Sequence, residues 1–235
     1  SNRIDDILVE AEFQKDNFHR AYRADEFNGM LILKPEVFVS ASEKKSGINS
    51  FVYISEPRGT LYFSGHENAG ATHRDIFKVK MLENGDWGEP EKISDVINTN
   101  FDEAYPVLTD FGTTLWFCSK GHNSVGGYDI FRSKLDTATG EFSNPENLGI
   151  GINSPFDDIL FIPDKTGRFA YFSSDRDNLN GAINVYKIKL IENAFGEEML
   201  MAENSAENET SEGQDLAAGE QNDGHQVPEE KKEIA

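Results

Sequence analysis

Short runs of aromatic and β-branched residues, separated by polar segments rich in Gly, Asp and Asn, recur three times along the chain. The three copies are Leu61–Ser64 with Asp75–Phe77, Leu115–Cys118 with Asp129–Phe131, and Ala170–Ser173 with Asn184–Tyr186. The spacing is regular: 54 positions separate Phe63 from Phe117, 55 separate Phe117 from Phe172, and 14 separate the paired aromatic residues inside every copy. Such self-similarity at a fixed period predicts a repeat architecture.

Further landmarks keep the same register. Ile97–Glu103 and Ile152–Asp158 both contain Ile-Asn followed by Phe-Asp and a second acid, at an offset of 55 residues. At that offset Trp87–Pro90 is matched by Phe142–Pro145. The shared register makes a chance coincidence of aromatic residues a poor explanation.

The middle copy gives the clearest structural prediction. Its apolar runs at 105–108, 114–118 and 128–133 predict three successive antiparallel strands, and a shorter run within 142–148 predicts a fourth. Four short strands in about 50 residues is the size of one β-propeller blade. We therefore predict an all-β fold, a β-propeller of four-stranded antiparallel blades.

The repeats also predict where the blades divide. Three clear blades are expected at 51–104, 105–158 and 159–195. The runs Met30–Leu33 and Val37–Val39 predict two strands of a degenerate fourth blade within 20–50. With the N-terminal half beside the last repeat, this blade would complete a ring; otherwise the chain is a fragment of a larger propeller or an open arc with exposed edges.

The two ends of the chain differ from the repeats. Residues 1–19 form an N-terminal segment in which Ile7, Ala11 and Phe18 have a helical spacing, which predicts a short helix. From Ile191 to Ala235 there are 13 Asp or Glu against two Lys, a net charge of −11 within a total of −20. This composition predicts an acidic disordered tail at 196–235.

Charge and composition narrow the choice of partners. With 42 acidic against 22 basic residues, the chain is poorly suited to nucleic acid or to anionic membrane surfaces. No apolar run has transmembrane length, so no direct membrane insertion is predicted. Cys118, the one cysteine, takes the strand position that Ser64 and Ser173 fill in the other copies, which predicts a buried, unreactive thiol.

Polar residues at repeating positions are predicted to hold the fold together. Asp75, Asp129 and Asn184 precede the second apolar run of each copy, where a short carboxylate or amide can cap a turn by accepting backbone N–H groups. Asp102 and Asp157 each begin an acidic pair, which suggests a calcium site or an acid–base pair. Neighbours on a strand point to opposite faces, however, and recurrence at the blade period favours a structural role.

Together these motifs resemble a known family. The residues that carry the resemblance are Gly126–Ser133, Asn147–Gly149, Gly151–Ser154, Asp157-Asp158 and Tyr171–Arg176. The ordered set is similar to the TolB-type, WD-like β-propeller repeat of exported bacterial proteins. It is closest to the propeller region of Bacteroidetes envelope proteins that carry an OmpA-like peptidoglycan-binding domain.

The resemblance covers roughly residues 49–190 and carries implications for location and partners. It implies a periplasmic or outer-membrane-associated protein whose partner is an envelope protein or a cell-wall component. No export leader is present in this sequence, so we expect the chain to be the mature form or an excised fragment of an exported protein. Because no OmpA-like segment is present either, direct peptidoglycan binding is not implied.

The sequence therefore predicts a non-enzymatic protein-interaction or scaffold module of a bacterial cell envelope, which binds its partner through propeller loops. No nucleophile–base set, phosphate-binding loop or metal-spaced His or Cys set is recognised, so no cofactor, metal or catalytic residue is predicted. The loops 65–74, 120–125 and 175–180 are the predicted binding segments, and the candidate loop contacts are Lys120, His122, Asp175 and Arg176.

Two alternatives remain open at this level. The first is a propeller glycosidase or lyase that acts on a glycan through carboxylates of the axial loops, with Asp102 and Asp157 as the acids to test. The second makes the acidic tail an interaction arm for a basic partner. The three hypotheses predict different contact residues: the propeller loops for the scaffold, the axial carboxylates for the enzyme, and the acidic tail for the interaction arm.

Overall fold

The computed structural model describes residues 3–46, 50–55, 59–68, 70–109, 112–178, 180–191 and 194–195. All of them belong to the first of two units into which the chain divides, Ser1–Met199. The predicted acidic tail at 196–235 lies outside the described residues.

Antiparallel strands dominate the described part of the chain. The strands are β1 (Ile4–Gln14), β2 (Gly29–Leu33), β3 (Phe51–Ser55), β4 (Thr60–Gly65), β5 (Asp75–Lys80), β6 (Glu91–Lys92), β7 (Glu103–Thr109), β8 (Thr114–Ser119), β9 (Asp129–Lys134), β10 (Glu146–Asn147), β11 (Asp158–Pro163), β12 (Phe169–Ser174) and β13 (Ala182–Leu190). The helical segments are α1 (Ala41–Ser46) and 3-10 turns at Phe18–Ala21, Ala24–Glu26 and Glu36–Phe38. The predicted all-β class is confirmed.

Each copy of the sequence repeat forms one sheet. The first repeat sheet has the order β4-β5-β6, the second β7-β8-β9-β10, and the third β11-β12-β13-β1, while β2 pairs with β3 as a separate N-terminal pair. In the middle copy the four predicted apolar runs coincide with β7, β8, β9 and β10. Within a repeat sheet, consecutive strands are joined by 4 to 11 residues, and these connections are rich in Gly, Asp and Asn, which permit the chain to reverse.

Two predicted blade boundaries were wrong by a few residues. The divisions at 104/105 and 158/159 fall inside strands, because β7 begins at Glu103 and β11 at Asp158. Both acids are fully buried, and each accepts the backbone N–H of the turn residue four positions earlier, Thr99 or Ser154. Each strand therefore starts at the acid that its preceding turn anchors, and not at the apolar run that follows.

The N-terminal segment is a strand where the sequence predicted a helix. β1 pairs antiparallel with β13, from Ile4 opposite Leu190 to Gln14 opposite Ala182. Among the described residues of this segment, helical structure is limited to the single 3-10 turn at Phe18–Ala21. The backbone of β13 offers a row of pairing groups, and filling that edge stabilises β1 more than the weak helical spacing could.

The first repeat departs from the four-stranded prediction as well. β3 is hydrogen-bonded to β2, with Leu33 opposite Phe51, and the first repeat sheet has three strands among the described residues. The predicted strand at Val37–Val39 is instead part of a 3-10 turn that follows Pro35. Strand β3 thus belongs with the predicted degenerate blade, because it pairs with the strand that precedes it along the chain.

One aromatic pair recurs in all three repeat sheets. Phe63 lies opposite Phe77, Phe117 opposite Phe131, and Phe172 opposite Tyr186 in the cross-strand register. Their rings are stacked, with centroids 5.8, 5.8 and 5.0 Å apart. Cross-strand aromatic pairs of this kind stabilise a sheet. The constant spacing of 14 residues between the paired aromatic residues therefore results from one hairpin register that is repeated in three sheets.

The hydrophobic core lies between successive sheets. One cluster, with Val52, Leu61, Phe63 and Val79, joins the N-terminal pair to the first repeat sheet. A second, with Tyr62, Ile76, Ile93, Ile97, Leu115, Phe117 and Phe131, joins the first and second repeat sheets. The largest joins the second and third repeat sheets, and its members include Tyr22, Phe27, Tyr53, Trp116, Ile130, Phe161 and Phe172.

The segment from Tyr22 to β3 contacts sheets on both of its sides. Adjacent residues of β3 point to opposite faces. Val52 therefore belongs to the cluster shared with the first repeat sheet, and Tyr53 belongs to the cluster between the second and third repeat sheets. The hydroxyl of Tyr22 donates to the carbonyl of Leu160 at 3.0 Å. This segment therefore connects the third repeat sheet back toward the first.

Candidate functional site

The recurring acids Asp102 and Asp157 link one repeat sheet to the next. Oδ1 of Asp102 accepts the backbone N–H of Arg74, and Oδ1 of Asp157 accepts that of Tyr128, both at 2.9 Å. A Cβ on Gly127 would collide with the carboxylate of Asp157, so the close approach of the two loops requires glycine there. The geometry is that of a structural link between sheets.

The second acid of each pair turns away from the first. Glu103 accepts hydrogen bonds from the hydroxyls of Thr99 and Ser119 at 2.8 and 2.7 Å. Asp158 accepts one from the hydroxyl of Ser154 at 2.8 Å. Burial raises the pKa of both Glu103 and Asp158 above the ordinary range. The two acids of a pair are therefore occupied by different partners and do not converge on one ion.

The position shared by Asp75, Asp129 and Asn184 holds different contacts in each copy. Asp129 accepts the backbone N–H of Val125 at 3.0 Å and an N–H of the Asn147 amide at 2.9 Å. The fully buried Asp75 has no hydrogen-bond partner within the described residues but lies 3.1 Å from the ammonium of Lys92, which occupies the position of Asn147. Asn184 accepts from the amide of Asn178 at 2.8 Å.

Two buried asparagines have a structural role that the sequence reasoning missed. The amide of Asn98 accepts from the N–H of Ile76 at 2.7 Å and donates to the carbonyl of the same residue at 3.0 Å. Asn153 does the same with Ile130 at 2.8 and 2.9 Å. Each side-chain amide thus makes the two hydrogen bonds that a residue of a neighbouring strand would otherwise make with the isoleucine backbone. The Ile-Asn repeat at an offset of 55 residues was the available signal.

The predicted loop contacts on the second repeat sheet turn toward the protein. The ammonium of Lys120 lies 3.3 Å from Oδ2 of Asp102 and 4.4 Å from the ring centroid of Tyr128. Nε2 of His122 donates to the carbonyl of Ile97 at 2.9 Å. His122 therefore helps to join the first and second repeat sheets, whereas the contacts of Lys120 are with residues that precede β7 and β9 of its own sheet.

The predicted contacts on the third repeat sheet are also used internally. Asp175 accepts the backbone N–H of Asp157 and the ammonium of Lys15, both at 3.0 Å. The guanidinium of Arg176 contacts Oδ1 of Asp158 at 2.6 Å and the carbonyl of Gly151 at 3.2 Å. Each has protein partners that a ligand would have to displace.

A pocket of about 600 Å³ lies where strands of several sheets meet. It is lined by Gln14, Lys15, Asp16, Phe18, His19, Leu31, Lys34, Glu43, Ser50, Phe51, Val52, Ser64, Arg74, Ala104, Tyr105, Pro106, Leu160 and Gly181. These residues include members of β3 in the N-terminal pair, of β7 in the second repeat sheet and of β11 in the third. Of the predicted binding segments only 65–74 contributes, through Arg74, and Lys120, His122, Asp175 and Arg176 are not among the described lining residues.

Two pocket residues have strained backbones at equivalent positions. Tyr105 in β7 and Leu160 in β11 have φ angles of 51° and 55°, in the left-handed region that residues with a side chain rarely adopt. The strand register is interrupted at both positions, between Ala104 and Val107 and between Ile159 and Ile162. Bulges of this kind redirect side chains and are frequent beside binding sites.

A buried ion pair forms one wall of the pocket. The ammonium of Lys34 lies 3.1 Å from each carboxylate oxygen of Glu43 and donates to the carbonyl of Ser64 at 2.7 Å. Glu43 is held by a capping box, because it accepts the N–H of Ser40 at 2.8 Å while its own N–H donates to the Ser40 hydroxyl at 3.2 Å. Burial opposes ionisation of Glu43, but these hydrogen bonds and Lys34 lower its pKa to about 2.

Metal and thiol chemistry find little support in the described residues. Over that part of the chain, no group of three or more His, Cys, Asp or Glu is arranged to hold a metal ion. Cys118 is a free, fully buried thiol whose pKa is raised by burial. Nor does any helix in the described ranges have the length and apolar character needed to cross a membrane.

Comparison with known proteins adds no assignment. No protein-family model matches the chain, and no curated protein or solved structure is significantly similar to it. The resemblance to TolB-type repeats therefore stays a prediction from the motifs.

Proposed function

We propose that this chain is a non-enzymatic binding module of a bacterial cell envelope, built as a propeller-type ring of four sheets. Its partner, an envelope protein or a cell-wall component, would be held in the pocket where β3, β7 and β11 meet. The single observation that carries this proposal is that pocket, about 600 Å³ in volume and bordered by strands of three sheets, β3 of the N-terminal pair, β7 of the second repeat sheet and β11 of the third.

The ring is supported by the order of packing between sheets. Hydrophobic clusters join the N-terminal pair to the first repeat sheet, the first to the second, and the second to the third. Tyr53 and Tyr22 then bring the N-terminal segment against the third sheet. Propeller blades pack in this sequence around a central channel, and β1 would act as the strand that completes the last blade.

A binding role is supported by how the acids are used. The carboxylates of Asp102 and Asp157 accept backbone N–H groups at two different sheet junctions, and neither is among the described pocket residues. A glycosidase requires two carboxyl groups facing one another across a substrate. The envelope location is supported by the sequence resemblance and is part of the proposal.

The test places a photo-crosslinking residue at the mouth of the pocket. p-Benzoylphenylalanine would replace the exposed Gln14, and a control protein would carry it at the exposed Glu83, which is not a pocket residue. With bacterial envelope extract, we expect irradiation to give a discrete adduct from position 14 and none from position 83. Equal labelling, or no adduct from either position, would contradict a pocket-bound envelope partner.

The enzyme alternative has its own decisive result. If the chain hydrolysed a member of a glycan panel, and if Asp102→Asn or Asp157→Asn removed that activity while the far-UV spectrum and melting temperature stayed unchanged, the glycosidase hypothesis would replace this one. We expect no hydrolysis.

A further inference from the structure

Arg74 is the least committed cation in the pocket. Its backbone N–H and carbonyl bind Asp102 and Glu103, but within the described residues its guanidinium has neither an ion-pair nor a hydrogen-bond partner. The chain has 42 acidic residues for 22 Lys and Arg, so acidic partners are plentiful. An arginine left without one in a partly enclosed pocket is available to a ligand.

The charge of Arg74 reaches other pocket residues. Burial lowers the pKa of Lys34, and the positive charge of Arg74 lowers it further, against the opposing effect of Glu43. Burial raises the pKa of Tyr105 to about 12, and Arg74 is among the charges that counter this rise. Both residues line the pocket, so the guanidinium lies close enough to act on its interior.

The other pocket cations are already paired. Lys34 is bound to Glu43, and Lys15 lies 3.0 Å from Asp175. Burial lowers the pKa of His19, which favours the neutral imidazole at pH 7. Asp16, Glu43 and the Asp175 partner of Lys15 balance the charges of Lys15, Lys34 and Arg74, and Arg74 is the cation of the described lining that has no ion-pair partner.

The wall of the pocket also offers an apolar and aromatic surface. The rings of His19 and Phe51 are stacked, with centroids 3.6 Å apart and planes inclined by 23°. Further apolar lining comes from Phe18, Leu31, Val52 and Leu160. A site that combines such a surface with one cation suits a ligand that has an apolar group beside an anionic group.

We propose that this pocket binds a ligand carrying a carboxylate next to an aromatic or aliphatic group, with Arg74 pairing with the carboxylate and the His19–Phe51 stack contacting the apolar part. The inference rests on the proposed binding function and names the chemistry of its ligand. A planar guanidinium matches a carboxylate through two parallel hydrogen bonds. Arg74 is the one cation of the described lining without an ion-pair partner, which favours a monoanion over a phosphate dianion that would bring more negative charge than one guanidinium offsets.

The probe is N-acetylphenylalanine, compared with N-acetylphenylalanine amide and with inorganic phosphate in NMR titrations of the full chain. We expect the acid to bind at least about tenfold more tightly than the amide, because a charged hydrogen-bonded pair contributes enough for that ratio. Arg74→Gln should remove the difference between acid and amide. Arg74→Lys should retain part of it, and Arg168→Gln, at an exposed residue outside the pocket lining, should retain all of it.

Several results would overturn the inference. They are equal binding of acid and amide, an unchanged preference in a folded Arg74→Gln protein, and phosphate binding as tight as the acid with the same dependence on Arg74. The two proposals can fail separately. A Gln14 adduct without preference for the acid would overturn this inference and leave the proposed function standing. Preference for the acid without any adduct would support this inference and contradict the envelope partner.

Discussion

The carboxylate of Asp157 accepts the backbone N–H of Tyr128 at 2.9 Å across the junction between two sheets. Asp102 repeats this bond with Arg74 one sheet earlier. An acidic position that recurs at the repeat period therefore joins neighbouring sheets, and it also sets the position of Arg74 beside the pocket.

Removal of the Asp157 carboxylate should weaken the junction between the second and third repeat sheets. We expect Asp157→Ala to lower the free energy of unfolding by about 1–3 kcal/mol, because the partly buried N–H of Tyr128 loses its acceptor. Asp157→Asn should cost less, since the amide oxygen can still accept. Urea titration would measure both, with Asp95→Ala at an exposed position as a control expected within about 0.5 kcal/mol of the parent protein. A loss no larger than that of the control would contradict a structural link.

Asn153 should be among the most sensitive polar positions. Its amide is the acceptor for the buried N–H of Ile130, whereas the Ile130 carbonyl also accepts the N–H of Leu148 at 3.1 Å, so we expect Asn153→Ala to cost about 1–3 kcal/mol through one unsatisfied N–H. Asn98→Ala should have a similar effect through Ile76. Thermal and urea unfolding of both variants would check this. If both were close to the parent protein, the amides would not be acting as substitutes for a strand.

Glu43 should contribute to stability in a defined pH range. Its folded-state pKa is lowered from 4.5 to about 2, so its contribution is complete above pH 5 and is lost as the pH falls toward 2. The gap in unfolding free energy between the parent protein and Glu43→Gln should be on the order of 3 kcal/mol at pH 6 and should shrink over that range. Glu36→Gln, at an exposed acid of the preceding turn, is the control, and at pH 6 it should lie within about 1 kcal/mol of the parent protein. A pH-independent gap for Glu43→Gln would exclude this origin of its stability.

The N-terminal strand should be required for a stable third repeat sheet. Deleting residues 1–14 exposes the edge of β13 over the register from Ile4–Leu190 to Gln14–Ala182, so we expect a lower melting temperature and aggregation. A synthetic peptide of residues 3–16 should restore part of the stability when added in excess. The same peptide with Ile4 and Ile7 replaced by Lys is the matched control. Full stability of the truncated protein would show that β13 does not need this partner.

Cys118 should be unreactive in the native protein. The thiol is fully buried, and burial raises its pKa, so we expect labelling by Ellman's reagent at least about 100-fold slower under native conditions than in 8 M urea. Lys165→Cys, at an exposed turn, provides a rapidly labelled control. Ser119→Cys would not serve, because Ser119 is buried as well. Native labelling of Cys118 at the rate of that control would contradict its burial.

Much of the repeat structure could be predicted from residue patterns. The stacked pair of Phe117 and Phe131 was visible as a constant spacing, because a hairpin with a fixed register places the same two positions opposite each other every time. The structural use of Asp102 and Asp157 followed from their recurrence. The pocket around Arg74 gave no comparable signal, since its residues come from segments distant in sequence, and Arg74 itself has no counterpart in the other copies, which have Tyr128 and Ile183 there.

The sequence by itself determined the all-β class, the strands of the second and third copies, and the polar positions that recur between them, because turn chemistry and cross-strand spacing act over short distances along the chain. Only the tertiary structure decided that Ile4–Gln14 is a strand, that β3 pairs with β2, and that Arg74 lines the same pocket as the His19–Phe51 stack. These outcomes depend on which strand edges and side chains meet after the sheets pack. Such long-range contacts outweigh the weak local preferences of the segments they join.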